Sequence, residues 1–135
     1  MWAGALMLTT YLGQRPSSGK QLSLFLKRVP QSTDLVGEDL RFANLSSCFC
    51  EEVDLSGALL VGSVATDGFW AKVNFTGSDL RRVDFSGSDL RGACFVGADL
   101  RGADFEKTDC TAADFTDAKL DGSRWPSAIL DEITR

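Results

Sequence analysis

Aspartate carboxylates recur at five-residue intervals, for example at Asp79, Asp84, Asp89, Asp99 and Asp104. Pairs of carboxylates can perform acid–base chemistry, with one acting as a general acid and the other as a base or nucleophile. Carboxylates at a fixed position of a repeating backbone are also typical of side chains that accept hydrogen bonds from nearby N–H groups. We favour this structural interpretation, because the same position takes Asn as well as Asp. The sequence therefore predicts no catalytic residue and a protein that is not an enzyme.

Histidine is absent from the 135 residues, which removes the most common general base and metal ligand. The four cysteines, Cys48, Cys50, Cys94 and Cys110, form no CxxC pair and have no zinc-motif spacing. They are predicted to be free thiols, mostly buried, which suits a reducing compartment. Cys94 replaces an outward Asp, so it is the thiol expected nearest to solvent. The sequence predicts no metal site and no cofactor.

Charge is unevenly distributed along the chain, whose formal net charge is −5. Residues 1–32 carry +4 and contain no acid, whereas residues 33–130 hold 17 acids and 9 bases, which gives −8. No segment approaches the ~20 apolar residues of a membrane span, so we predict a soluble protein without one. We expect the cytoplasm or another reducing compartment, with an organelle as the alternative because the leader is basic and apolar. An acidic body disfavours direct nucleic-acid binding.

A period of five organises most of the sequence. Counting in fives from Leu35 to Leu130 reaches 20 central positions, of which 15 are Leu or Phe, without an insertion or deletion. A small or β-branched residue lies two positions before 19 of these 20 centres, and only Glu38 departs from the rule. Asp or Asn lies immediately before 12 centres, and Gly follows two positions after 9 of them. Such a pattern indicates a structural repeat.

A five-residue period fits neither an α-helix nor a long strand, but it fits a short extended segment followed by a corner. The small residue and the centre point to one side of the segment, and the intervening Asp points to the other. Glycine supplies the permissive backbone that a corner needs. A chain that turns the same way every five residues coils on itself, and successive coils pair as parallel strands ~4.8 Å apart.

The segments 78–82 (SDLRR), 98–102 (ADLRG) and 103–105 (ADF) resemble the A-(D/N)-(L/F)-x-x signature of the pentapeptide-repeat family. The resemblance extends over about residues 33–130. It implies an all-β fold, a right-handed quadrilateral parallel β-helix with four pentads per coil and about five coils. We accordingly predict an N-terminal leader and cap at residues 1–32, a β-helical solenoid at 33–130 and a C-terminal tail at 131–135.

A four-sided coil places every fourth centre in one inner column. One predicted column is entirely leucine and another contains three phenylalanines (Leu40, Leu60, Leu80, Leu100 and Leu120; Phe75, Phe95 and Phe115). Ala65 and Trp70 fall on adjacent sides of one coil, where the small residue is expected to make room for the indole. Cys50 and Cys110 share a side but lie three coils apart, which excludes a disulfide between them.

Large apolar residues interrupt the polar outer surface of the early coils. The candidates for partner binding are Phe42, Phe49, Leu59, Val61, Val64 and Phe69 in the repeats, with Trp2 and Tyr11 in the leader. An exposed apolar cluster usually indicates a contact surface. We expect this cluster to be covered either by the leader or by a partner subunit. Whether residues 1–30 cap the body or dock on a partner is left open by the sequence.

Arginines follow the centres of one side at Arg41, Arg81 and Arg101, beside Asp79 and Asp99. This strip is interpreted either as a charge pattern read by a partner or as a solvated face with weak ion pairs.

We predict a non-catalytic protein–protein interaction module, a scaffold or small structural subunit of a larger assembly. The family resemblance implies an alternative, because some members mimic the shape and charge of DNA and protect type II topoisomerase (gyrase). The arginines interrupt any continuous acidic face, which favours the first hypothesis.

Overall fold

The computed structural model describes residues 35–135. The predicted leader, including Trp2 and Tyr11, lies outside these described residues. Each five-residue unit consists of three extended residues followed by a corner of two residues, and four units complete one coil. Five such coils form a right-handed quadrilateral β-helix, as the family resemblance implied.

The four sides of the rod are built from single bridging residues, and residues 35–135 contain no helix. Each bridging residue pairs in parallel with the residue twenty positions later, which gives 16 bridges. The bridging residues are Asp39, Leu59, Asp79, Asp99 and Lys119 on side 1; Asn44, Val64, Asp84, Asp104 and Arg124 on side 2; Phe49, Phe69, Asp89, Asp109 and Ile129 on side 3; and Asp54, Asn74, Cys94, Asp114 and Thr134 on side 4.

Backbone hydrogen bonds join each unit to the coils above and below it. The centre donates to the next coil, as from the Leu80 N–H to the Asp99 C=O at 2.8 Å. The bridging residue donates to the preceding coil, as from the Asp79 N–H to the Ala58 C=O at 2.9 Å. A further bond closes the corner, as from the Val83 N–H to the Leu80 C=O at 3.2 Å. Most backbone groups of the rod are thereby satisfied inside it.

The bridging Asp and Asn side chains accept the N–H of the first corner residue. Asp84 Oδ1 lies 2.9 Å from the Ser86 nitrogen, and Asn44 Oδ1 lies 3.1 Å from the Ser46 nitrogen. A short acceptor at this position satisfies a backbone donor that the coils leave over. The structural interpretation of the recurring aspartates is therefore confirmed.

The interior is filled by the predicted columns. Leu60, Leu80 and Leu100 are completely buried. Phe95 stacks between Phe75 and Phe115, with ring centroids 5.2 and 4.8 Å apart. Stacked and edge-to-face rings fill the narrow core, which is how the aromatic residues contribute to stability.

Trp70 is accommodated by a glycine that the sequence analysis did not single out. A Cβ atom at Gly68 would lie 2.1 Å from Trp70 Nε1, so no larger residue fits there. At this corner the Ser88 hydroxyl accepts from the Gly68 N–H at 3.0 Å and donates to the Ala65 C=O at 2.7 Å. The hydroxyl thus replaces the direct N–H to C=O bond that closes each of the other corners from Leu35 to Trp125.

The coils continue beyond the predicted boundary at residue 130. Thr134 bridges Asp114, its N–H donates to the Ala113 C=O at 3.0 Å, and its C=O accepts from the Phe115 N–H at 2.8 Å. Ile133 packs against the core at the position of the small residue. The segment 131–135 was therefore wrongly predicted as a tail, because it keeps the five-residue spacing and completes side 4 as far as Thr134.

Truncation of a central column residue tests the register. Leu100→Ala is expected to lower the free energy of unfolding by about 2–5 kcal/mol, because it leaves a cavity in a core that is closed on every side. The exposed corner residue Asp121 gives a control, and Asp121→Ala is expected to stay within about 0.5 kcal/mol of the parent. Chemical denaturation measures both, and equal effects would contradict the register.

Candidate partner-binding surfaces

On side 3, Phe49 and Phe69 lie one above the other on the outer surface. Their rings are nearly parallel, with centroids 4.5 Å apart and an interplanar angle of 8°. They remain 58% and 46% exposed, so the pair shields only part of its area from water. The same column continues with aspartates, which confines this aromatic pair to the first two coils.

Phe42 projects from the corner between sides 1 and 2 and is 78% exposed. Its backbone has a φ of 58°, and it is the only aromatic residue with positive φ among residues 35–135. A bulky side chain in this left-handed region is unfavourable, since the Cβ crowds the following carbonyl. The positive φ is shared by the second corner residues of the other units, so Phe42 differs from them in placing a large, exposed aromatic side chain there.

The remaining candidates are less prominent. Val64 lies on side 2 and is 41% exposed, whereas Leu59 on side 1 and Val61 at the next corner are partly buried. The six candidates in the repeats therefore surround three of the four sides at one end of the rod. We call this set the apolar collar (Phe42, Phe49, Leu59, Val61, Val64 and Phe69). Two exposed apolar residues outside it, Val36 and Ile129, were not predicted.

Three residues of the collar also lack the side-chain acceptor that Asp or Asn provides for a backbone N–H. Leu59, Val64 and Phe69 occupy three consecutive bridging positions, and 11 of the 20 units from Asp39 to Thr134 carry an Asp or Asn acceptor there. An apolar side chain cannot accept the N–H of the following corner residue, which is left to solvent or to a partner. This part of the surface therefore departs from the repeat in two ways, in its polarity and in its hydrogen bonding.

The predicted charge strip on side 1 consists of internally paired groups. Arg81 donates to Asp79 from Nε and Nη2, both at 2.8 Å, and Arg101 donates to Asp99 at 2.9 and 2.6 Å. Asp79 and Asp99 are adjacent in the column, as predicted. These arginine hydrogen bonds lower the pKa of both carboxyl groups below the ordinary value.

Arg82 is a candidate that the sequence analysis missed. It lines a shallow groove together with Val61, Arg81, Arg101 and Gly102. It lies at the corner position where the neighbouring coils carry glycine, and counting corners in steps of twenty would have singled it out.

Both the repeat and the fold occur in known proteins. A family model described as pentapeptide repeats matches eight copies, over residues 31–62 and 71–106, which is just over half of the sequence. The chain belongs to the pentapeptide-repeat family. Proteins of this family are generally structural or interaction proteins.

Solved pentapeptide-repeat structures resemble this one. Rfr23 from the cyanobacterium Cyanothece 51142 matches with a TM-score of 0.67 and 23% identity over 69% of this chain and 64% of its own. A protein of the Arabidopsis thaliana thylakoid lumen matches with a TM-score of 0.54 and 27% identity over 67% of this chain and 66% of its own. QnrB1, a plasmid-mediated fluoroquinolone resistance protein, matches with a TM-score of 0.54 and 19% identity over 73% of this chain and 59% of its own.

The chain spans less than two thirds of the length of each of these three proteins. A sequence comparison with curated proteins gives no match. Residues 35–135 contain no helix of the length and hydropathy needed to cross a bilayer.

The four cysteines of this pentapeptide-repeat protein form no disulfide. Cys48, Cys50 and Cys110 are buried, and Cys94 is partly exposed, which confirms that Cys94 is the thiol nearest to solvent. Burial raises the pKa of Cys110 to about 11, and the hydrogen bond with Cys48 together with burial raises that of Cys50. These buried thiols are unsuited to act as nucleophiles at neutral pH. In the described part of the chain, no group of three His, Cys, Asp or Glu residues is placed to hold a metal ion.

The Arg–Asp pairs make stability depend on pH in the acid range. Because folding lowers the pKa of Asp99, its contribution is complete above the unfolded pKa of about 3.9 and is lost as pH falls through the lower folded value. Asp99→Asn removes the titrating charge but keeps an acceptor for the backbone. We expect the melting-temperature difference between the parent and Asp99→Asn to close below about pH 4. A difference that is the same at neutral and strongly acid pH would contradict this.

Proposed function

We propose that this pentapeptide-repeat protein is a non-catalytic protein–protein interaction module, a scaffold or small structural subunit of a larger assembly. The apolar collar is the observation that carries the proposal. Each of its large apolar side chains would gain about 1.5–3 kcal/mol from full burial relative to exposure. Four of the six side chains are between 41% and 78% exposed. A contiguous apolar surface of this kind is typical of a contact site.

The chemistry of the aspartates supports a non-catalytic role. Their carboxylates accept corner N–H groups or pair with arginines, so they are occupied by structural contacts. The net charge of the repeat region, −8, weighs against direct binding to nucleic acid, because an acidic surface repels phosphates.

Two occupants of the collar are compatible with its chemistry. One is a partner subunit, which we favour for a module of this family. The other is the chain's own leader, residues 1–32, which carries Trp2, Tyr11 and other apolar residues and a charge of +4 opposite the acidic body. Charge complementarity supports the leader, whereas the spread of the collar over three sides supports a larger partner that wraps around the rod.

The alternative function is DNA mimicry with protection of gyrase. Asp84 and Asp104 form an acidic column on side 2, and the structurally similar QnrB1 is a fluoroquinolone resistance protein. On side 1, however, Arg81 and Arg101 neutralise the corresponding aspartates, and on side 2 Arg124 pairs with Asp104. We expect the purified protein, at micromolar concentration, to leave gyrase supercoiling unchanged. A dose-dependent effect would favour mimicry over the scaffold.

We propose a reducing compartment as the site of action. Three of the four cysteine thiols are buried where oxidation would disrupt the core, which supports the cytoplasm or a similar environment. The basic leader and the similarity to a thylakoid-lumen protein support an organelle as the alternative.

The decisive experiment is a pull-down with matched variants of side 3. Phe49→Ser or Phe69→Ser is expected to abolish recovery of the partner, because each removes half of the stacked aromatic pair. Ile129→Ser is the control, since Ile129 lies in the same column at the opposite end and is 47% exposed. Equal loss with the control would count against the collar, and so would full retention with both phenylalanine variants.

Deletion of residues 1–13 distinguishes the leader from a partner subunit as the occupant of the apolar collar. If the leader covers the collar, the deletion lowers the melting temperature and promotes aggregation of the isolated protein, because apolar area becomes exposed. If a partner uses the leader, the melting temperature is unchanged and the complex is lost. Thermal unfolding of the purified protein and the same pull-down distinguish these outcomes.

A further inference from the structure

At one corner of the rod, the second of the two corner positions carries a side chain in only two of the five coils. In the second corner position between sides 1 and 2, the successive coils place Phe42, Gly62, Arg82, Gly102 and Gly122. Coils are ~4.8 Å apart, so the Phe42 and Arg82 backbones are about 10 Å apart along the rod. An aromatic ring and a cation thus stand in line, separated and followed by glycines.

The glycines leave space that these two side chains use. A Cβ atom at Gly62 would lie 2.9 Å from two carbons of the Phe42 ring, so the ring lies across that glycine. A Cβ atom at Gly102 would lie 3.4 Å from Arg82 Cγ, so the Arg82 stem lies along the next coil. Both side chains therefore lean in the same direction along the rod, and Arg82 lines the groove.

The three arginines of the groove differ in whether an aspartate binds them. Arg81 and Arg101 use Nε and Nη2 to bind their own aspartates, Asp79 and Asp99. Among residues 35–135, no carboxylate pairs with Arg82. Within the described part of the chain, the lining of the groove holds three guanidinium groups and no carboxylate. Asp79 and Asp99 pair with Arg81 and Arg101, and Asp121 on the next coil also interacts with Arg101, so Arg82 is the groove cation left for a ligand.

We propose that this corner binds an acidic segment of a partner protein that also carries an apolar side chain. A carboxylate of the segment pairs with Arg82 in the two-pronged geometry that guanidinium groups favour. The apolar side chain lies on Phe42 and Val61, which are two coils and one coil away from Arg82. The proposal rests on the interaction-module function, and it specifies the chemistry of the partner.

The leader is unsuited to this site. Residues 1–32 contain four basic residues and no acid, so they cannot supply the carboxylate and would be repelled by the arginines. The stacked pair on side 3 has a different setting, since it is followed by the acidic corner residue Glu52, which pairs with Lys72. The basic leader would suit that side, and the acidic segment suits the arginine corner.

Fluorescence anisotropy with a labelled peptide of alternating glutamate and phenylalanine tests the site. We expect Arg82→Gln in the full-length protein to weaken binding roughly 10-fold or more, as expected for loss of a charge-assisted pair. The control is Arg91→Gln, because this change removes the same charge at a first corner position after side 3, where Arg91 pairs with Asp89. Equal weakening by both variants would indicate general electrostatics and overturn the proposal.

Phe42→Gly distinguishes a role of Phe42 in peptide binding from a role in the stability of the fold. Glycine favours the left-handed backbone at this position, so we expect the melting temperature to be kept or raised while peptide affinity falls. A fall in melting temperature with unchanged affinity would overturn the contact role. A peptide with glutamine in place of glutamate should bind at least roughly 10-fold more weakly, and equal binding would overturn the role of charge.

The same measurements keep this proposal distinct from the proposed function. If the protein is an interaction module but this site is wrong, the peptide does not bind, and Arg82→Gln still recovers the partner in the pull-down. If the protein is not an interaction module, neither the peptide nor a partner is bound by the parent.

Discussion

The hydrogen bonding between coils is the constraint on which the rest of this structure depends. In a typical unit the centre, the bridging residue and the second corner residue donate to adjacent coils, and the residue after the corner closes it. One N–H per unit is left, and the bridging Asp or Asn accepts it. Because five residues use five donors, an insertion in one unit would shift every later pairing. This accounts for a sequence without insertions, and it leaves only the outward side chains free to vary.

That constraint also explains how much could be predicted from the sequence. A period of five with four sides fixes which residues stack, so the buried Leu100, the Phe75–Phe95–Phe115 column and the partly exposed Cys94 followed from counting. Counting does not give the direction of a side chain. The indole of Trp70 points its Nε1 at Gly68, and the Ser88 hydroxyl replaces the corner bond, and neither follows from residue types. The same holds for Phe42 lying across Gly62. The end of the rod was misplaced because Arg135 occupies the position of a centre and hides the continuing spacing.

The outward positions carry the functional information because the fold places few demands on them. Asp or Asn is favourable there, since each supplies a backbone acceptor. A unit with Leu, Val or Phe loses that acceptor and exposes apolar area, so it is less favourable for the isolated rod on both counts. Three consecutive units of this kind, at Leu59, Val64 and Phe69, are therefore difficult to explain by folding alone. Burial against another surface removes the second cost, and a partner that supplies acceptors removes the first.

The rod offers two surfaces with different electrostatic requirements, and its rigidity fixes the distance between them. Phe49 and Phe69 lie on side 3, whereas Phe42 and Arg82 lie at the corner of sides 1 and 2, with side 2 between them. The outward residues of side 2 in the first two coils are Asn44 and Val64, the second of which is 41% exposed. A single partner that touched both surfaces would have to cross side 2 and bury Val64. Two separate occupants, a basic one on side 3 and an acidic one at the arginine corner, would leave Val64 in water. Burial of Val64 in a complex is thus the feature that distinguishes one wrapping partner from two, because side 2 is the only short path between the two surfaces.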